Sequence, residues 1–98
     1  MQAFALSAHL QNIEYLDAGQ CEIGDIGVQV LALSWMRRLK FLNLRHNGIG
    51  ENGYKMLAMS ESMPLLNEIR IYEGNTATTE AKNVLRRAKA LPALRHIS

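Results

Sequence analysis

Histidine, cysteine and serine are the side chains of this sequence best suited to chemistry, but their spacing does not build a reactive site. The three histidines, His9, His46 and His96, lack the spacing of metal ligands. Cys21 is the single cysteine, so neither an internal disulfide nor a zinc site made only of cysteines can form. No strand–turn–helix nucleophile elbow surrounds a serine. We therefore expect no enzymatic activity, no catalytic residue, no metal and no cofactor.

Two pairs of glycines have the spacing Gly-x-x-Gly, at Gly24 and Gly27 and again at Gly50 and Gly53. A phosphate-binding P-loop also contains glycines, but it continues into Lys-Ser or Lys-Thr, which is missing here. Glycine permits tight turns and close packing of a helix against its neighbours. The spacing therefore indicates an architectural role.

The glycines belong to an internal repeat in which the first two units are in register without a gap. Nine positions of one segment match nine positions of an earlier one in character, and both glycines and a Leu-Ala pair are identical. The later positions are Leu39, Leu42, Leu44, Asn47, Ile49, Gly50, Gly53, Leu57 and Ala58, and the earlier are Ile13, Leu16, Ala18, Cys21, Ile23, Gly24, Gly27, Leu31 and Ala32. Slightly longer steps extend the pattern to Leu66, Ile69, Ile71, Asn75, Leu85, Leu94 and Ile97. The period, from Leu16 to Leu42, lies within the range typical of solenoids.

The segment from Leu39 to Ile49 resembles the leucine-rich-repeat consensus L-x-x-L-x-L-x-x-N/C-x-L. Its continuation, Gly50-Glu-Asn-Gly53, is similar to the helix-bearing, ribonuclease-inhibitor-like subclass. The resemblance covers about residues 6 to 98. It implies an α/β solenoid, with parallel strands on a concave face and helices on a convex face. We expect one domain, residues 1–98, with about three repeats and partial units at both ends.

The pattern of apolar residues predicts the same elements. Alternation around Leu42 and Leu44 is typical of a strand. Helices are predicted at about 25–36, 51–62 and 79–90, and residues 3–9 resemble the tail of a preceding helix. Strands separated by helices must run parallel.

Several side chains near the turns also have predicted environments. Asn47 should satisfy backbone groups inside the turn after its strand. Cys21 occupies the equivalent position, where a small buried thiol is favoured over a reactive one. Trp35 and Met36 are expected in the core on the convex side.

The residues between the inward-pointing leucines define the predicted concave surface. Aligned repeats give three columns: Tyr15, Phe41, Glu68 and His96; Asp17, Asn43, Arg70 and Ser98; and Gly19, Arg45 and Tyr72. Tyrosine and arginine are favoured at protein interfaces. We predict a partner-binding face formed by Tyr15, Asp17, Phe41, Asn43, Arg45, Glu68, Arg70 and Tyr72. Alternatively, Tyr15 and Phe41 only support each other as a cross-strand pair.

The net charge of +2 is too small to indicate a partner, but the charges are unevenly distributed. No acidic residue follows Glu80, whereas Lys82, Arg86, Arg87, Lys89 and Arg95 do. Such a basic helix can meet phosphates or an acidic protein, but a solvated face is favoured and nucleic-acid binding is not expected. No apolar run could cross a membrane and no signal peptide is recognisable, so with its one cysteine the chain is expected to be intracellular.

In the family that these repeats resemble, they mostly act as binding scaffolds. We therefore predict a module that binds another protein through its concave face. The alternative is a structural subunit or fragment of a larger assembly, since the chain stops at Ile97-Ser98 inside a strand. An open solenoid end exposes the core, so this alternative predicts packing or self-association through uncapped ends.

Overall fold

The computed structural model describes residues 12–98, in which four short strands alternate with three helices. In chain order these are β1 (Tyr15–Asp17), α1 (Gly24–Leu33), β2 (Phe41–Asn43), α2 (Glu51–Met59), β3 (Glu68–Arg70), α3 (Thr79–Arg86) and β4 (His96–Ile97). The strands form one parallel sheet in the order β1-β2-β3-β4. The predicted class, a short α/β repeat solenoid, is confirmed.

The register of the sheet follows the sequence repeats. Tyr15 pairs with Phe41, Phe41 with Glu68, and Glu68 with His96, so each strand is displaced from the previous one by one repeat of the sequence. The later repeats are slightly longer, and their extra residues lie in the connections between the strands. The first predicted column is therefore confirmed as a row of cross-strand neighbours, and Asp17, Asn43 and Arg70 form the second row.

A continuous apolar core lies between the sheet and the helices. Alternate residues on and beside the strands are buried, including Leu42, Leu44 and Ile69, and the helices bury Leu31 and Leu57 against them. Burying one such side chain contributes about 2 kcal/mol relative to leaving it in water. This core holds the strands edge to edge and leaves their opposite face open.

The helices begin where the sequence predicts, to within one residue, but they end three or four residues earlier. Ser34 and Ser60 follow α1 and α2 with extended backbones, at ψ of 133° and 123°. The hydroxyls of Ser60 and Ser62 both donate hydrogen bonds to the carbonyl of Ala32, at 2.8 and 2.6 Å. These bonds hold the connection after α2 against the end of α1.

The extended backbone after α1 also corrects one prediction for the core. Met36 is fully buried, as predicted, but Trp35 is 62% exposed. In an extended segment consecutive side chains point in opposite directions, so only one of the two residues can face the core. The placement of Trp35 in the core was wrong.

Close packing explains two of the glycines. A Cβ atom at Gly27 would collide with the side chain of Ile23, and one at Gly53 would collide with Ile49. The collision at Gly53 would also involve the Asp25 carboxylate from the preceding repeat. The architectural role predicted for these two positions is confirmed.

The helix predicted at residues 3–9 lies outside the described part of the chain. Within residues 12–98, no helix is long and apolar enough to span a membrane.

Candidate functional site

Asparagine side chains fix the turns that follow the strands. The side-chain oxygen of Asn47 accepts hydrogen bonds from the backbone N–H groups of Cys21 (2.8 Å) and Ile23 (3.3 Å). Its amide nitrogen donates to the carbonyls of Ala18 (2.8 Å) and Leu44 (3.0 Å), and also to that of Arg45. Asn47 is buried, so these bonds replace water inside the turn. The role predicted for Asn47 is confirmed.

Asn75 repeats this arrangement in the next turn. It accepts hydrogen bonds from the N–H groups of Asn47 (3.1 Å) and Ile49 (2.8 Å) and donates to the carbonyls of Leu44 and Ile71. Each asparagine thus joins its own turn to the preceding one. These hydrogen bonds between consecutive turns set the spacing of the strand ends, and hence the spacing of the side chains on the concave face.

Cys21 occupies the place of Asn47 in the first described turn, but its side chain is exposed. Its Sγ atom contacts only the carbonyl of Gly19, at 3.6 Å, among the hydrogen-bond partners found in residues 12–98. Asn47 approaches the backbone of Cys21 and leaves the thiol facing outward. The prediction of a buried thiol was therefore wrong.

An aromatic stack crosses the first two strands of the concave face. The rings of Tyr15 and Phe41 lie 4.3 Å apart and are nearly parallel, with 6° between their planes. The guanidinium carbon of Arg70 lies 5.0 Å from the centre of the Phe41 ring. Tyr15 remains 61% exposed, whereas Phe41 is half-buried between its two neighbours. The structure thus places an apolar platform with a cation at its side on the open face.

The charged and polar residues of the face form hydrogen bonds and ion pairs with one another, both across strands and along one strand. Asn43 donates to the Asp17 carboxylate at 3.0 Å, and Arg70 forms an ion pair with Glu68 at 3.1 Å. Such exposed ion pairs contribute little to stability, but they restrict the rotamers of their side chains. The aromatic platform is therefore bordered by polar groups whose positions are set in advance.

Arg45 reaches further across the sheet than its neighbours. Its Nη2 donates to the hydroxyl of Ser98 at 3.1 Å, although Ser98 follows β4 and Arg45 follows β2. Its Nε is buried and has no hydrogen-bond partner within residues 12–98.

Tyr72 differs from the other predicted residues of the face. Its ring lies 4.7 Å from the Nζ of Lys82 on α3, and it packs against the core with a buried hydroxyl. It also lies near Tyr54 on α2, whose pKa is raised from 10.0 to about 12, chiefly by burial and in part by Tyr72. Tyr72 thus contacts the helical layer, and its assignment to the binding face stays a prediction.

A hollow of about 410 Å³ opens where β2 and β3 begin. Phe41 and Glu68 line it from the sheet, and Leu65 and Ala93 line it from the connections that precede β3 and β4. The aromatic platform therefore continues into a cleft that can receive a side chain.

The histidines of this chain lie far apart in the repeats and belong to different surroundings. His46 lies 3.4 Å from the Glu73 carboxylate beyond the strand end, His96 is on β4, and His9 is outside the described residues. In the described part of the chain, no group of three or more His, Cys, Asp or Glu could hold a metal ion. The chemistry that this face offers is stacking, hydrogen bonding and burial of apolar groups.

The structure also exposes apolar side chains that the sequence did not indicate. Leu33 and Met59, at the ends of α1 and α2, are 75% and 78% exposed. They are equivalent positions of consecutive repeats, and this equivalence is the signal that could have identified them. Both residues are the last of their helices, whereas the predicted helices would have continued for three more residues.

A comparison with protein families finds a leucine-rich-repeat model that matches residues 9–32 and 37–58. These two segments correspond to the two clear repeats. The match is to the leucine-rich repeat itself, so the ribonuclease-inhibitor-like subclass stays a prediction. A search of curated proteins finds no match to the chain. Domains of the matched kind generally mediate protein–protein interaction and are typically not enzymes.

Proposed function

Because the chain is a leucine-rich-repeat protein, we propose that it binds a protein partner across its concave sheet face. The observation that carries this proposal is the stack of Tyr15, Phe41 and Arg70. Aromatic residues and arginine are the commonest anchors of protein interfaces, because they bury large areas at a modest entropic cost. The intracellular location inferred from the single cysteine remains a prediction.

The surroundings of the stack support the same function. The hollow beside Phe41 can accept one side chain of the partner. Asp17, Asn43 and Glu68 offer hydrogen bonds beside the aromatic stack. An apolar centre with a polar rim is the usual anatomy of an interface. The cross-strand pairing of Tyr15 with Phe41 also stabilises the sheet, and the two roles are compatible because most of Tyr15 stays exposed.

The test replaces Tyr15 with a photo-crosslinking phenylalanine derivative in the full chain and identifies the cellular protein that becomes attached. The affinity of that protein is then measured for the original chain and for Tyr15→Ala. We expect at least about a thirtyfold loss, as for an interface anchor worth about 2 kcal/mol.

The matched control is Ile26→Ala, since Ile26 is an apolar residue on α1 that is 79% exposed. This change should leave the affinity unaltered. Equal affinity for both variants and the original chain would reject the concave face as the binding site. Light scattering over a concentration series addresses the alternative of a structural subunit, which predicts self-association that Tyr15→Ala does not weaken.

A further inference from the structure

The two long edges of the solenoid differ in charge. One edge consists of the helix ends and the segments that lead from each helix to the next strand, residues 33–40, 59–67 and 86–95; we name it the helix-exit edge. It holds seven of the eleven Lys and Arg residues, three in the first segment and four in the third, but only Glu61 of the nine acids. The opposite turns, residues 18–25, 44–51 and 71–80, hold five acids and one cation.

Most cations of the helix-exit edge have no carboxylate partner within residues 12–98. Lys40 pairs with Glu14 at 3.1 Å, and the other ion pairs found there lie elsewhere. Arg86 is in the last turn of α3, where a cation stabilises the helix dipole. The last turns of α1 and α2 contain no basic residue, so the helix dipole does not account for Arg37 and Arg38.

Exposed apolar side chains lie on the same edge. Leu33, Trp35 and Met59 are between 62% and 78% exposed, and Leu65, which also lines the hollow beside Phe41, is 46% exposed. Single exposed apolar residues are common, but here four lie along one edge. Leu33 and Met59 also line a groove of about 440 Å³ between α1 and α2, together with Ala32 and Met56 and with the polar residues Gln29, Ser60 and Glu61. Glu61 is the one charged residue of this lining, so the cations that would meet an acidic partner lie beside the groove and not in it.

The backbone around this groove is held in place. The hydroxyls of Ser60 and Ser62 bind the carbonyl of Ala32, and the N–H of Met36 donates to the carbonyl of Ser62 at 3.0 Å. The segments after α1 and α2 therefore cannot separate without losing three hydrogen bonds. The groove is a preformed feature of the fold.

We propose that the helix-exit edge is a second docking surface, which binds an acidic amphipathic helix of a protein partner. Its apolar side chains would enter the groove between Leu33 and Met59, as an amphipathic helix fills a groove elsewhere. Its carboxylates would meet Arg37 and Arg38, whose guanidinium groups suit bidentate pairing. A concave groove of this size favours a helix over a lipid surface, and the charge sign of the edge specifies an acidic one.

The probe is a synthetic helical peptide of about 16 residues, with leucines along one face and glutamates elsewhere. Its binding to the full chain is followed by the anisotropy of an attached dye. We expect at least about a tenfold weaker affinity for Leu33→Gln/Met59→Gln and for Arg37→Gln/Arg38→Gln. Added salt should weaken binding to the original chain more than to the arginine variant.

Two controls separate this surface from the concave face. Tyr15→Ala and Ile26→Gln, both at exposed positions, should bind the peptide as the original chain does. A loss of peptide binding in Tyr15→Ala would place the peptide on the concave face and overturn the proposal while leaving the proposed function intact. Circular dichroism of each variant checks that the exposed substitutions preserve the fold.

Other occupants of the groove give different results. A peptide with lysines in place of the glutamates should not bind, and equal binding of the two peptides would reject the charge argument. Binding to phosphatidylserine vesicles without binding to the acidic peptide would assign the edge to a membrane. Self-association that disappears in Leu33→Gln/Met59→Gln would assign it to a second copy of the chain. Each of these three results overturns the proposal.

Discussion

The turn after β1 and the turn after β2 occupy the same place in consecutive repeats, but different side chains hold them. The second turn is filled by Asn47, which makes five hydrogen bonds to the backbones of two turns. The first turn has Cys21 there, and its thiol is exposed. A position can thus keep its backbone geometry when its own side chain contributes little, because the next repeat supplies the missing hydrogen bonds.

The two turns share left-handed backbone conformations, but one of these positions carries a different kind of residue in each turn. Left-handed conformations occur at Gln20 and Glu22 in the first turn and at His46 and Gly48 in the second. Glu22 and Gly48 are equivalent positions, with φ of 55° and 64°. Only glycine adopts this region without steric cost, so the first turn stores strain that the second avoids. The comparison therefore predicts that the second turn is the stronger of the two.

The largest expected effect comes from Asn47→Ala. It removes hydrogen bonds from the N–H of Cys21 and of Ile23 and from the carbonyl of Ala18, in a turn that excludes water. Buried polar groups without partners cost about 1–3 kcal/mol each, so we expect a loss of about 3 kcal/mol or more in the free energy of unfolding. Urea denaturation measures it. The matched control, Cys21→Ala, should change this free energy by less than about 0.5 kcal/mol, and a similar loss in both variants would contradict the comparison.

The second prediction concerns Tyr54, which lies in the helix after the stronger turn and is equivalent to Val28 in the first repeat. The pKa of Tyr54 is raised from 10.0 to about 12, so the folded state holds the phenolic proton more tightly than the unfolded state. This stabilisation is complete below pH 10 and is lost as the pH rises through 12. Between these two pH values the free energy of unfolding should fall by about 2–3 kcal/mol.

Tyr54→Phe isolates this effect because it removes only the hydroxyl. That hydroxyl is buried without a partner within residues 12–98, so the variant should be as stable as the original chain at pH 8, or about 1 kcal/mol more stable. Between pH 10 and 12 it should lose less stability than the original chain. Parallel pH curves for the two proteins would show that Tyr54 does not titrate in this way.

The smallest expected effect is that of Glu22→Gly, which gives the first turn the glycine of the second. Because Glu22 is exposed and has a φ of 55°, we expect the free energy of unfolding to rise by about 0.5–1 kcal/mol. Thermal denaturation measures this change. The reciprocal change, Gly48→Ala, should cost a similar amount, since a Cβ at Gly48 meets nothing within 4 Å. A loss of stability in Glu22→Gly would mean that the side chain, not strain, decides this position.

The repeat period accounts for what the sequence predicted well. Spacing alone identified the strands, their register and the buried role of Asn47, because each depends on contacts that recur once per repeat. The side chains of the concave face followed from the alternation along a strand. Six of the eight predicted residues, all but Arg45 and Tyr72, lie on the strands themselves, in the two rows that the register defines.

The errors lie where the path of the chain depends on particular side chains. The helix ends depend on bonds from Ser60 and Ser62 to Ala32, and no apolar pattern reveals these bonds. The exposure of Trp35 follows from that shortened helix. Tyr72 lies beyond the end of β3 and its ring contacts Lys82 on α3, so strand alternation alone does not decide whether it belongs to the binding face.

Each strand of the sheet pairs only with its neighbours in sequence, and this order has a consequence for how the molecule opens. Cooperativity is passed along the chain from one repeat to the next, as in a one-dimensional lattice. The strand β2 shares an interface with β1 and another with β3, whereas β4 shares one described interface, with β3. Damage to the repeat of β2 therefore weakens two couplings at once, and fraying at β4 leaves the others intact. The stack of Tyr15 on Phe41 joins β1 to β2, which is one of the two interfaces of β2. A ligand that binds across both rings would therefore also stabilise the pairing of these two repeats.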